Sequence, residues 1–134
     1  MNSKIIYCFL LFLFLASCKK EEDDSGIFDF GQEAEFRMFQ EYSSNDKNLQ
    51  FTIFEINDSR CPNGAMCVWA GEVEVKIAIE KPALDTLILT SPDELTGNSG
   101  VYTFELCTVA PYPDIVSEIE PEDYIVLMKI TRYY

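Results

Sequence analysis

Trp69-Ala70-Gly71-Glu72-Val73-Glu74-Val75-Lys76-Ile77-Ala78-Ile79-Glu80 is the stretch that decides the fold. Trp69, Gly71, Val73, Val75, Ile77 and Ile79 fall on one side, and Ala70, Glu72, Glu74, Lys76, Ala78 and Glu80 on the other. A period of two belongs to a strand with one buried face, whereas a helix would bring its apolar positions round every three or four residues. At about 3.3 Å per residue, Cys67 to Ile79 drawn straight would reach about 43 Å, too long for a small domain. A bulge or bend is therefore predicted at Gly71, with Trp69 entering the core.

The same period appears on either side. Ala34, Phe36 and Met38 alternate with Glu35 and Arg37, and Tyr102, Phe104 and Leu106 alternate with Thr103 and Glu105. Between Leu49 and Asn57 the apolar phase slips from Phe51 and Ile53 to Phe54 and Ile56, which predicts a second bulge or a change of partner sheet. Turn-forming runs separate the strands at Ser43–Asp46, Pro62–Gly64, Lys81-Pro82, Ser91–Asp93, Gly97–Gly100 and Pro111–Pro113. About seven strands spaced in this way predict an all-β antiparallel β-sandwich, immunoglobulin-like or similar, with a small barrel as the alternative closure. Ile119-Glu120-Pro121-Glu122-Asp123-Tyr124-Ile125-Val126 resembles the corner-plus-strand entry of immunoglobulin-like folds, where a tyrosine hydroxyl caps nearby backbone. No cysteine follows Tyr124 by two residues, so the immunoglobulin disulfide is not expected. A helical turn is predicted only over Asp114 to Glu120.

The chain has 134 residues, 48% of them hydrophobic and 25% charged, which suits one cored domain and no internal repeat. It contains no histidine, which removes Ser-His-Asp and Cys-His catalysis and imidazole-bound metals. The net charge is −13, so phosphate backbones and anionic lipid surfaces repel it, and no nucleic-acid partner is expected. Carboxylates abound, but none are singled out as a catalytic pair; Glu72, Glu74 and Glu80 read as the solvated side of a strand. Asp93, Glu94 and Asn98 could offer oxygens to calcium, yet their loop lacks a cation-binding spacing. Neither metal nor cofactor is called, and no enzymatic activity.

Residues 1–17 read as a lipoprotein signal peptide. Lys4 supplies the positive charge, and the twelve-residue apolar run Ile5 to Ala16 would make a helix only about 18 Å long, too short to span about 30 Å of hydrocarbon. Leu15-Ala16-Ser17-Cys18 resembles the bacterial lipobox, which implies cleavage before Cys18 and its acylation. Residues 18–26 then form a lipidated acidic tether and residues 27–134 the folded domain. Lys19-Lys20-Glu21-Glu22-Asp23-Asp24 resembles the export signal of Bacteroidetes-type surface lipoproteins. That resemblance implies an outer-membrane protein held by lipid at Cys18 and displayed at the cell surface.

Cys8 leaves with the signal peptide and Cys18 is taken by lipid, so Cys61, Cys67 and Cys107 remain in the domain. Pro62-Asn63-Gly64 folds the chain between Cys61 and Cys67, which predicts a disulfide between them in an oxidising compartment. Three thiols do not make a structural zinc site, and no Cys-x-x-Cys redox pair is present. Cys107 is expected to be an unreactive thiol covered by a neighbouring loop or layer.

Asp58-Ser59-Arg60-Cys61-Pro62, followed by Cys67, Trp69-Ala70-Gly71, resembles a segment of small exported bacterial proteins and lipoproteins that carries no assigned activity. Physically it reads as a stapled corner. Asp58 can accept turn amides, Arg60 can pair with a nearby acid, and Gly71 lets another backbone approach. The expected function is that of a non-enzymatic binding or assembly module with a protein or glycan partner. Its candidate recognition residues are Pro62, Asn63, Gly64, Ala65 and Met66 of the stapled loop, and Tyr112 between two prolines. The alternatives are a protease-inhibitor-like presentation of loop 61–67 and a structural envelope component.

Overall fold

The computed structural model describes residues 26–134, so the signal peptide, Cys18 and all of the tether except Gly26 lie outside the described residues. Nine strands follow in chain order: β1 Gly26–Phe28, β2 Glu33–Arg37, β3 Glu41–Ser44, β4 Gln50–Asp58, β5 Val73–Lys81, β6 Asp85–Ser91, β7 Thr96–Ser99, β8 Tyr102–Ala110 and β9 Ile125–Arg132. They make two sheets, in the orders β1-β3-β4-β5-β6 and β2-β9-β8-β7, packed face to face and not closed into a barrel. The protein is an antiparallel β-sandwich, in which β1 beside β3 is the single parallel pair among the named strands. The count exceeds seven because short strands such as β1 and β7, of three and four residues, carry too few positions to show a period.

Alternation places the core where the sequence indicates. Val73, Val75, Ile77 and Ile79 of β5 and Tyr102, Phe104 and Leu106 of β8 are buried. Each fully buried aliphatic or aromatic side chain of this size contributes about 1.5 to 3 kcal/mol. Phe28, Phe36, Tyr42, Phe51 and Phe104 cluster with ring centroids 4.8 to 5.8 Å apart, mostly edge to face. The Tyr42 hydroxyl links the sheets, accepting from the Arg37 backbone N–H at 2.6 Å and donating to Gln40 Oε1 at 3.1 Å.

Both sheets contain register breaks. In β4 there are two, one between Gln50 and Phe51 and one between Ile53 and Glu55, where the apolar phase slips. In β8 one falls between Leu106 and Thr108, so Cys107 and Thr108 both face outward and Val109 turns in instead. Cys107, on the outer face that follows buried Leu106, is exposed rather than covered, because no loop or second layer among the described residues packs over it. Its thiol pKa is raised by partial desolvation and then by the Glu33 and Glu105 carboxylates, which keeps it protonated and a weak nucleophile.

Two further expectations are corrected. Asp114 to Glu120 is irregular, and the helical turn among the described residues is a 3-10 turn at Pro121–Asp123. Trp69 stands outside the core, 65% exposed. Gly71 adopts φ +74°, which interrupts the extended chain, so the alternation of β5 begins afresh at Val73 and does not reach back to Trp69.

Candidate functional site

Beyond the ends of β4 and β5 the hairpin continues as two irregular arms. The Ser59 N–H donates to Glu72 O and the Cys61 N–H to Ala70 O, each at 2.8 Å, while Ser59 Oγ also donates to Glu72 O at 3.0 Å. The arms lie so close at Gly71 that a Cβ there would sit 1.9 Å from the Ser59 carbonyl oxygen. Cys61 and Cys67 close the tip with a disulfide, their α-carbons 5.9 Å apart. Inside the ring the Ala65 N–H returns to Pro62 O at 3.1 Å, and Gly64 takes φ +87°. Closing so short a loop removes about 2 kcal/mol of unfolded-chain entropy.

Arg60 fastens this hairpin to the rest of the molecule. Asp58 Oδ1 accepts from the Arg60 backbone N–H at 3.1 Å and from Nε at 2.8 Å, and Oδ2 accepts from Nη2 at 2.5 Å. The guanidinium then reaches the other sheet, donating from Nη1 to Val109 O at 2.8 Å and from Nη2 to Pro111 O at 3.1 Å. It also lies over the Tyr112 ring, 4.7 Å from its centroid. Tyr124 donates its hydroxyl to Asp58 Oδ2 at 3.2 Å. The corner tyrosine thus binds a carboxylate on the opposite sheet rather than backbone beside it. Burial, followed by the Asp58 charge, raises the Tyr124 pKa above that of a free phenol.

The structure brings the two sequence-predicted recognition elements together. The Asn63 N–H donates to Pro113 O at 2.9 Å and the Ile115 N–H to Asn63 O at 3.3 Å, so the stapled loop lies alongside the β8–β9 connection that carries Tyr112. Asn63, Gly64, Ala65, Met66 and Tyr112 are exposed and Pro62 is half-buried. Sequence reasoning missed four neighbours. Val68 and Trp69 follow the loop, and Ile115 and Val116 lie in the adjoining connection, all of them exposed apolar side chains. Isolated exposed apolar residues are ordinary, but Met66 at 103% and Val68 at 105% of full exposure flank Cys67 at the disulfide-closed tip. A continuous apolar-and-aromatic tally of loops 61–69 and 112–116 would have indicated them.

A cleft of about 370 Å³ beside the corner is lined by Asn57, Asp58, Ser59, Glu72 and Glu74. A second, of about 380 Å³, opens between β1 and β2. Among the described residues no group of three or more Cys, Asp or Glu is placed to hold a metal ion. The chain matches no protein-family model, no curated protein and no solved structure.

Proposed function

We propose that the protein is a lipid-anchored, non-enzymatic binding or assembly module of the bacterial cell surface, with the stapled corner as its recognition end. The observation that carries this reading is the exposed apolar tip Met66, Val68 and Trp69, held rigid by a disulfide and by Arg60. A preorganised tip loses little freedom on binding, and tryptophan and tyrosine are the side chains on which interfaces most often depend. The lipobox-like Leu15–Cys18 and the acidic run after it support the address. Two or more acyl chains would hold the protein on the membrane durably, which suits a module that works at a fixed site.

The test uses the full chain in its native membranes. Mass spectrometry should show cleavage before Cys18 and an acylated Cys18, and protease added to intact cells should remove the domain. Solubilised in mild detergent, the chain should migrate in a complex larger than itself. A bare monomer under those conditions would refute the binding role, and an unacylated, protected chain would refute the address.

A further inference from the structure

We infer that the stapled corner docks on a protein whose contact face is apolar at its centre and lined with lysine or arginine. This rests on the anchored-module reading and specifies its partner. The apolar part of the surface is Met66, Val68 and Trp69 on one loop and Ile115 and Val116 on the loop bonded to it, with Tyr112 at their junction. The charges around it have one sign. The segments 57–72 and 110–124 contain Glu72, Asp114, Glu118, Glu120, Glu122 and Asp123, besides Asp58, which is buried and paired with the single cation Arg60. Arg60 is already spent on Asp58 and on the carbonyls of Val109 and Pro111, so it offers nothing to a visitor.

The charge pattern selects the occupant. A second copy would set these carboxylates against their own kind, and an anionic lipid surface would be repelled by them. A cationic face gains attraction during approach and apolar contact on arrival. The other end of the sandwich differs, because Lys47, Lys81 and Arg132 stand there among Asp29, Asp46 and Asp85. One-signed charge combined with clustered apolar side chains is a property of the corner.

The experiment places a benzophenone-bearing amino acid at the position of Val68, of Val116, or of Leu84 as a control, in the full chain in its native cells. Leu84 is equally open to solvent but lies in the β5–β6 turn at the opposite end. Illumination should join the Val68 and Val116 probes to one and the same protein, with lysine or arginine flanking the joined site, and should give no adduct from Leu84. Combining Glu118→Lys, Glu120→Lys and Glu122→Lys should lower the adduct at least tenfold, whereas Glu33→Lys with Glu35→Lys should leave it unchanged. Adducts to lipid, to a second copy, or to a protein site without basic residues would overturn the inference, as would insensitivity to the charge reversal. Absence of adducts from an acylated chain that still migrates in a larger complex would overturn this surface alone and leave the module reading standing.

Discussion

At one end of the sandwich Asp58 holds Arg60, its neighbour two residues on; at the other, Asp46 holds Arg132 from near the far end of the chain. β4 starts just after Asp46 and finishes at Asp58, while β9 starts just after Tyr124 and finishes at Arg132, so each end joins the same two strands across the sheets. The environments differ. The side chains of Arg60 and Asp58 are 12% and 4% exposed, against 21% and 36% for Arg132 and Asp46. At the corner the charges are desolvated, and nearly every donor on Arg60 is directed to a named acceptor. At the far end Asp46 gathers the Ser44 hydroxyl at 2.6 Å, the Asn48 N–H at 3.1 Å and the Asn48 amide at 2.9 Å, while Arg132 lies over the Phe30 and Tyr134 rings. An ion pair is costly to break when its partners are buried, and contributes little when water can replace either partner.

The largest effect is therefore expected from Asp58→Ala or Arg60→Ala, each of which strands a buried partner. Either should lower stability by about 3 kcal/mol or more in urea denaturation. A loss below 1 kcal/mol would place the corner in the same category as the far end. Cys61→Ser should cost about 2 kcal/mol and leave the β signature in circular dichroism intact.

Tyr124→Phe removes one hydrogen bond to Asp58 and should cost about 1 kcal/mol near neutrality. Because its folded pKa is raised, the tyrosine's contribution is fully present below its ordinary value of 10.0 and fades as pH rises through the folded value. The phenylalanine variant should accordingly show a flatter stability curve in alkali than the parent.

Asp46→Asn should have the smallest effect, and one that shrinks with added salt. The Ser44 hydroxyl first, then the Asn48 N–H and Arg132, hold the Asp46 carboxyl well below the usual range. Its contribution is present above the ordinary value of 3.8 and disappears as pH falls through the lowered one. Parent and variant should converge in acid, whereas Tyr124→Phe and its parent converge in alkali. If both pairs converged on the same side of neutrality, the distinction between the two ends would fail.

The sandwich was legible because faces are written at period two. The apolar residues from Val73 to Ile79 and from Tyr102 to Leu106 lie buried as their alternation indicates, and the slip at Phe54 is the second of the two β4 register breaks. Which sheet a strand joins is not written that way, since a period names a face and not a partner. Trp69 was misplaced because alternation carried through Gly71 cannot register a positive φ. Cys107 lies on the outward face that alternation after Leu106 gives it, and what alternation could not register is that nothing among the described residues covers that face, because a period names a face and not what packs on it. In the corner, the disulfide followed from a separation of 6 residues, whereas an acid was expected for Arg60 without being named, and it is Asp58, two residues before it. The hold of Arg60 on Val109 and Pro111 spans 49 and 51 residues and leaves no local trace. Ile115 and Val116 follow no period at all, so a reading by period passed over them and only a count of apolar residues within the loop would have marked them.

The close approach at Gly71 determines what a library of variants would report. Any single-base change that replaces a glycine with another amino acid installs a β-carbon, and here that carbon has no room beside the Ser59 carbonyl. Position 71 should tolerate no replacement in a selection for correctly folded protein. Met66 and Val68, wholly in solvent, should accept almost any residue in the same selection. Sorting one library twice, first for folding and then for occupancy by a partner, would separate the two demands on this corner residue by residue, with Gly71 set by the first and the tip set by the second.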